Sequence, residues 1–171
     1  LILIAQDTTR YGQDIYDKLM LPELLRELCK IEDVKWIRLL YCYPERVTDE
    51  LIETIASEEK ILNYIDLPLQ HVSENMLKMM NRTGNAKTLR ELINKLRAKI
   101  PNIVLRTTFI VGFPSETEEN FEELCNFANE MQFDRMGCFT YSPEENTKAA
   151  LFENQISEEI KLKRQEILME Q

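Results

Sequence analysis

Five short apolar runs, each followed by a polar loop and then an amphipathic stretch, constrain this chain more than any single motif. Residues 1–5 read Leu-Ile-Leu-Ile-Ala, which suits a buried strand. Pro22 stands where a helix starts, and Leu21, Leu24, Leu25 and Leu28 recur at helical spacing. A second strand is predicted over 36–41. Thr48 is placed to cap the next helix, with Asp49 and Glu50 where the helix dipole favours anions. A third strand is predicted over 64–67, stopped by Pro68. Ser73 then opens a short helix ending near Met80, and residues 82–85 (Arg-Thr-Gly-Asn) break it. Thr88 with Glu91, and Ser115 with Glu118, have the spacing of capping boxes for two longer helices. The longest strand is predicted over 103–111, a fifth over 134–141, and a last helix from about Ser157.

Strands alternating with helices imply an α/β fold with parallel pairing through right-handed crossovers. An open doubly wound sheet and part of a (β/α) barrel both fit. A complete eight-stranded barrel takes ~250 residues, and 171 are present. Lys and Arg number 21 against 30 Asp and Glu, a net charge of −9. That balance argues against a general nucleic-acid surface, whose affinity comes from neutralising phosphates; it reads first as keeping the protein soluble and is compatible with a basic partner. No apolar run reaches the ~18 residues of a membrane span, and no secretory leader pattern is present. A cytoplasmic location is expected.

In parallel α/β folds ligands sit at the carboxyl ends of strands. The loops after the strands hold the only histidine, Gly12, Gly112 and four of the six prolines, whereas the loops after helices are mostly simple charged turns. Gln6 and Asp7 either bond loop amides or hold a ligand's polar groups. His71 is either a satisfied structural residue or a general base or ligand. Gly112 allows a tight turn or a close backbone approach. No GxGxxG, no GxxxxGK[ST] and no nucleophile elbow occurs. Met76, Met79 and Met80 read as packing.

Arg38 and Arg106 lie within strand runs, and a charge inside a parallel sheet needs a partner or an anionic ligand. Alternation puts Arg38, Leu40 and Cys42 on one face, and Arg106, Thr108 and Ile110 on another. Cys29, Cys42, Cys125 and Cys138 form no CxxC or CxxxC, so no metal or cluster cradle is readable. Cys29 and Cys125 fall on apolar helix faces and read as small buried hydrophobes, and Cys42 at a strand end reads as packing.

Five strings taken in order resemble the radical S-adenosylmethionine methylthiotransferases over essentially the whole chain. They are Ala5-Gln6-Asp7-Thr8-Thr9-Arg10-Tyr11-Gly12, Leu40-Tyr41-Cys42-Tyr43-Pro44, Asp66-Leu67-Pro68-Leu69-Gln70-His71, Leu105-Arg106-Thr107-Thr108-Phe109-Ile110-Val111-Gly112-Phe113-Pro114 and Tyr141-Ser142-Pro143-Glu144-Glu145. Three of them are similar to the branch that adds a methylthio group to the β-carbon of an aspartate in a small-subunit ribosomal protein. The sister enzymes acting on a tRNA adenosine carry Ser-Pro-His-Pro in place of Tyr41-Cys42-Tyr43-Pro44. They carry Leu-Gln-Ser-Gly-Ser in place of Leu69-Gln70-His71-Val72-Ser73, and Thr-Asp-Ile-Ile-Val-Gly in place of Thr107-Thr108-Phe109-Ile110-Val111-Gly112.

The resemblance implies an incomplete parallel (β/α) barrel of the radical-SAM type, with five strands present and the first missing. Residues 1–171 are then one partial barrel domain, without the CxxxCxxC loop of the first strand and without the flanking N- and C-terminal domains. The implied cofactors are S-adenosylmethionine and, in the parent enzyme, two 4Fe–4S clusters that these residues do not ligate. The cluster cleaves S-adenosylmethionine and the adenosyl radical takes hydrogen from the substrate. The parent is expected to be a transferase acting on a small-subunit ribosomal protein, and these residues alone are expected to be inactive.

The resemblance also assigns cofactor-binding residues. Gln6 and Asp7 approach the methionine amino end, Gln70 and His71 the ribose and substrate, and Ile110 and Gly112 the adenine edge. Tyr141 packs near adenine. Arg38 and Arg106 are candidates for carboxylate contacts on strand face and charge alone. The family's G-x-I-x-G-x-x-E pattern puts Thr108 at its first glycine and Ser115 at its glutamate, with Glu116 one position late, so no acidic contact is carried over. Two other readings stand beside this one: a tRNA-adenosine methylthiotransferase, and a cluster-free α/β binding module.

Overall fold

The computed structural model describes residues 1–170. Its strands are β1 (Ile2–Leu3), β2 (Arg38–Leu39), β3 (Tyr64–Gln70), β4 (Val104–Val111) and β5 (Arg135–Thr140). Its helices are α1 (Gln13–Tyr16), α2 (Leu21–Cys29), α3 (Asp49–Ser57), α4 (Glu74–Met79), α5 (Ala86–Lys99), α6 (Glu118–Met131) and α7 (Glu158–Met169). Among the described residues no helix is long and apolar enough to cross a membrane. β1 pairs β2 in parallel, Ile2 with Arg38 and Leu3 with Leu39. A second sheet has the order β3–β4–β5. The alternation therefore yields an α/β fold.

The chain forms two compact units, Leu1–Pro68 with Glu91–Arg106, and Leu69–Arg90 with Thr107–Gln171. In the first, Leu25, Ile37, Leu39, Ile65, Leu67, Ile93, Leu96 and Leu105 are completely buried. Burying each such side chain contributes ~1.5–3 kcal/mol before the entropy of ordering it. Thr48 caps α3 as its sequence predicts, accepting from the Leu51 amide.

The second strand is shorter than predicted. Tyr41 has φ +55°, a left-handed conformation that ends the extended run. Alternation therefore fails beyond Leu40: Arg38 is exposed, yet Cys42 is fully buried. The expected charge inside the sheet is absent at Arg38, whose guanidinium lies 4.7 Å from the centre of the Tyr64 ring.

Pro68 does not stop the third strand, which runs on to Gln70. The reason is the side it faces. The Asp66 carbonyl accepts from the Cys42 amide at 2.9 Å, so residues 66 and 68 turn their backbone groups away from β4. The missing N–H of Pro68 falls on that same side, so its absence costs no bond between β3 and β4. Asp66 itself is completely buried in an apolar strand. Its carboxylate accepts from the Tyr41 amide at 3.0 Å and from Arg106 at 2.8 Å. This ion pair supplies the partner that the strand arginine requires.

In the second unit β4 alternates cleanly. Thr107, Phe109 and Val111 are buried, while Thr108 and Ile110 are half-buried. Both predicted capping boxes are displaced. Ser115 has φ +67° and so lacks the extended backbone of an N-cap. Thr117 has that backbone, and its reciprocal bonds with Asn120 open α6. α5 starts earlier than predicted because Asn85, not Thr88, is its cap: the Asn85 side chain accepts from the Thr88 amide and Thr88 reciprocates. The buried face of α6 is Phe121, Leu124, Cys125, Phe127, Ala128 and Met131. α7 lies against Gly112, where a Cβ would come within 2.3 Å of Lys161 Cγ.

Two stability predictions follow from this packing. Asp66→Ala strands the Tyr41 amide and should cost about 1–3 kcal/mol in urea denaturation. The half-exposed Arg106 guanidinium adds little to that loss because water reaches it. Gly112→Ala meets both a φ of +70° and the Lys161 stem. It should cost about 1–3 kcal/mol in the same assay, and a melting temperature equal to wild type would contradict the packing.

Candidate functional site

In the second unit the carboxyl ends of β3, β4 and β5 border a hollow of ≈ 720 Å³. Gln70, Ile110 and Tyr141, each at or just past the end of its strand, line it together with Phe113 and Phe152. Phe113 stands edge-on to Tyr141 at 5.0 Å and to Phe152 at 6.2 Å, a rigid aromatic wall. Gln70 Oε1 and Tyr141 Oη are both buried without a hydrogen-bond partner. Unsatisfied buried polar atoms are rare and costly, and the two residues that carry these both line the hollow.

His71 and Gly112 do not line this hollow. They meet behind it, around Glu116. His71 is completely buried, and its Nδ1 accepts from the Val72 and Ser73 amides at 2.9 and 3.0 Å. The proton of the neutral ring therefore sits on Nε2, which lies 3.3 Å from Glu116 Oε1 but off the line of a hydrogen bond. Glu116 Oε2 accepts from the Gly112 amide at 2.9 Å and from Arg164 of α7. Arg164 also donates to the Glu116 carbonyl and to Glu118, and its guanidinium lies over the Phe121 ring.

Sequence reasoning carried no acidic contact to this position because Glu116 stands one residue late. The left-handed turn at Ser115 absorbs the additional residue and returns the carboxylate to Gly112. Arg164 and Lys161 left no signal, since both read as ordinary polar positions of an exposed helix.

In the first unit Gln6 and Asp7 border a separate hollow of ≈ 440 Å³ with Arg10, Tyr43 and Arg46. Gln6 is exposed. Asp7 is bonded within the protein: it accepts from Arg46 at 2.9 Å and from the Thr9 hydroxyl, which in turn accepts from the Tyr43 amide. Asp7 thus ties together the loops after β1 and β2. Arg38 and Arg106 line neither hollow.

Cys125 is buried as expected, whereas Cys29 is only half-buried; Cys42 and Cys138 are buried. Burial, then the charge of Glu116, pushes the Cys138 thiol up to about 12, and burial raises Cys42 strongly as well. Neither presents a thiolate at neutral pH. Among the described residues no three His, Cys, Asp or Glu side chains gather to hold a metal.

The family described as the Radical SAM superfamily matches residues 8–128. A "Ribosomal protein uS12 methylthiotransferase RimO" from Caldanaerobacter subterraneus subsp. tengcongensis is 62% identical over 99% of this chain and 39% of its own length. One of the same name from Clostridium kluyveri is 56% identical over 98% of this chain and 38% of its own. The chain thus spans about two-fifths of the length of these curated relatives. Among solved structures, coproporphyrinogen III oxidase (HemN) from Escherichia coli, described as a radical SAM enzyme, aligns with a TM-score of 0.65. Its identity is 22%, over 88% of this chain and 34% of the oxidase. The radical S-adenosylmethionine methyltransferase TsrM from Kitasatospora setae aligns with a TM-score of 0.56 and 16% identity, over 70% of this chain and 24% of that one. Strand-end hollow, α/β order, family match and fold likeness agree: the chain belongs to the radical SAM superfamily.

Proposed function

We propose that these 171 residues serve a methylthiotransferase that acts on ribosomal protein uS12 in the cytoplasm and adds a methylthio group to the β-carbon of an aspartate. The observation that carries this reading is the 62% identity over 99% of the chain to a uS12 methylthiotransferase. We read residues 1–171 as one partial (β/α) barrel domain holding five strands, with the cluster-binding strand and the flanking domains outside it.

The hollow in the second unit suits S-adenosylmethionine. Gln70 Oε1 and Tyr141 Oη need partners, and the cofactor offers an amine, hydroxyls and ring nitrogens. Ile110 and Phe113 supply the apolar contact that a flat base requires. When bound, the cofactor supplies hydrogen abstraction from an unactivated carbon. The chain's own part is to hold and shield. The Phe113, Tyr141 and Phe152 wall excludes water, and Glu116 fixes the Gly112 turn by occupying its amide. The residues present do not fit an iron–sulfur cluster, since no three suitable side chains converge among the described residues. Both clusters of the parent are therefore assigned to other residues, and this stretch alone is expected not to turn over.

Two measurements test the reading. The reconstituted protein carrying these residues, given uS12 and tRNA, should leave a methylthio mass increment on a uS12 aspartate, and an increment on a tRNA adenosine instead would overturn it. Calorimetric titration of S-adenosylmethionine into the 171-residue chain should weaken about 2–10-fold on Tyr141→Phe, the cost of one hydrogen bond. Unchanged affinity would remove the cofactor from this hollow.

A further inference from the structure

Helix α7 turns cations inward. Lys161 and Arg164 are buried on it, while Ile160, Leu162 and Met169 are exposed. Arg164 is paired with Glu116 and Glu118. Lys161 is the less explained of the two. A lysine ordinarily carries its ammonium out to water, yet Lys161 is only 2% exposed. Its stem runs past Gly112, where a Cβ would come within 2.3 Å of Cγ. Its Nζ donates to Glu158 at 2.6 Å, and that carboxylate is largely in solvent. The same Nζ lies over the Tyr141 ring, 5.4 Å from its centre. Lys161 does not line the hollow, but it packs against both strand-end turns that do, since Gly112 precedes Phe113 and Tyr141 is itself in the wall.

We propose that Lys161 is a positioning residue for the cofactor, acting through Tyr141: its buried ammonium holds the ring and makes the phenol a hydrogen-bond donor to an acceptor on S-adenosylmethionine. The inference rests on the reading of this hollow as the cofactor site and names what prepares the Tyr141 hydroxyl. A cation over a tyrosine face is attracted by the ring's electrons. It draws density away from the oxygen, so the hydroxyl gives its hydrogen more readily and accepts less well. Burial keeps water from screening that pull. Glu158 offsets only part of it, because its carboxylate is exposed to solvent. Tyr141 Oη has no partner in the protein to receive the hydrogen, so the ligand receives it. Gly112 belongs to the same arrangement: a residue without a side chain leaves the lysine stem its path to Tyr141.

The test is calorimetric titration of S-adenosylmethionine into four forms of the 171-residue chain: unaltered, Lys161→Met, Tyr141→Phe and the double variant. Met keeps the length of the stem and removes the charge. With Tyr141 in place, Lys161→Met should weaken binding about 2–5-fold. With Tyr141→Phe it should change affinity by less than about 1.5-fold, since no hydroxyl is left to act on. Lys161→Arg, which keeps the charge, should bind as the unaltered chain does. Lys161→Gln takes the place of Lys161→Met if that variant does not fold. An equal loss in both backgrounds makes Lys161 a structural support only and overturns the proposal. Unchanged affinity in Lys161→Met, with Tyr141→Phe still weakened, overturns it too and leaves the cofactor reading intact. Unchanged affinity in Tyr141→Phe, or no binding to the unaltered chain, removes the cofactor from the hollow and overturns the proposal together with that reading.

Discussion

One buried carboxylate organises the second unit. Glu116 is almost fully enclosed, where an unpaired charge would cost several kcal/mol. Its Oε2 is held by an amide from Gly112 and by the Arg164 guanidinium, while the edge of the His71 ring lies 3.3 Å from Oε1 without a hydrogen bond. The two partners come from different parts of the chain, the turn after β4 and the last helix, and the loop after β3 packs beside them. Pairing this single charge therefore fixes two segments at once. Removing either partner leaves the carboxylate underpaired, so the segments hold together as a set. The aromatic wall of the hollow stands on that base, since Phe113 is the residue next to Gly112.

The alternation of strands and helices was legible in the sequence because it is periodic and local. Of the nine residues read as one site, Gln70, Ile110 and Tyr141 line the strand-end hollow, Gln6 and Asp7 line another, and Arg38, His71, Arg106 and Gly112 line neither. What escaped were choices made by backbone conformation and by distant packing. Ser115 fits a capping pattern by residue type, but its left-handed backbone passes the role to Thr117. Pro68 reads as a terminator, yet only the direction of its neighbour's carbonyl decides whether a strand tolerates it. The Arg164 pairing spans 48 residues, and nothing in an amphipathic helix marks which polar position turns inward. Asp66 offered a usable signal that went unread. An acid in one apolar strand and an arginine in another invite pairing, and Arg106 meets it at 2.8 Å.

The site residues drawn from family likeness divide by the work they do in this chain. Gln70 and Tyr141 present unpaired polar atoms to a hollow. Asp7 instead spends its hydrogen bonds joining the loops after β1 and β2, and His71 Nδ1 accepts from its own loop while Nε2 stays unpaired beside Glu116. A ligand competing for Asp7 would have to displace Arg46, whereas one meeting Gln70 displaces no protein partner.

The proline in β3 carries a consequence for how that strand is bordered. Pro68 is buried and lacks an N–H, so on the side where the Asp66 carbonyl meets the Cys42 amide residue 68 offers an acceptor and no donor. A segment packed on that side can bond at residue 66 and finds nothing to accept from at 68. An imino acid in the middle of an apolar strand thus leaves uninterrupted ladder pairing to the side that faces β4.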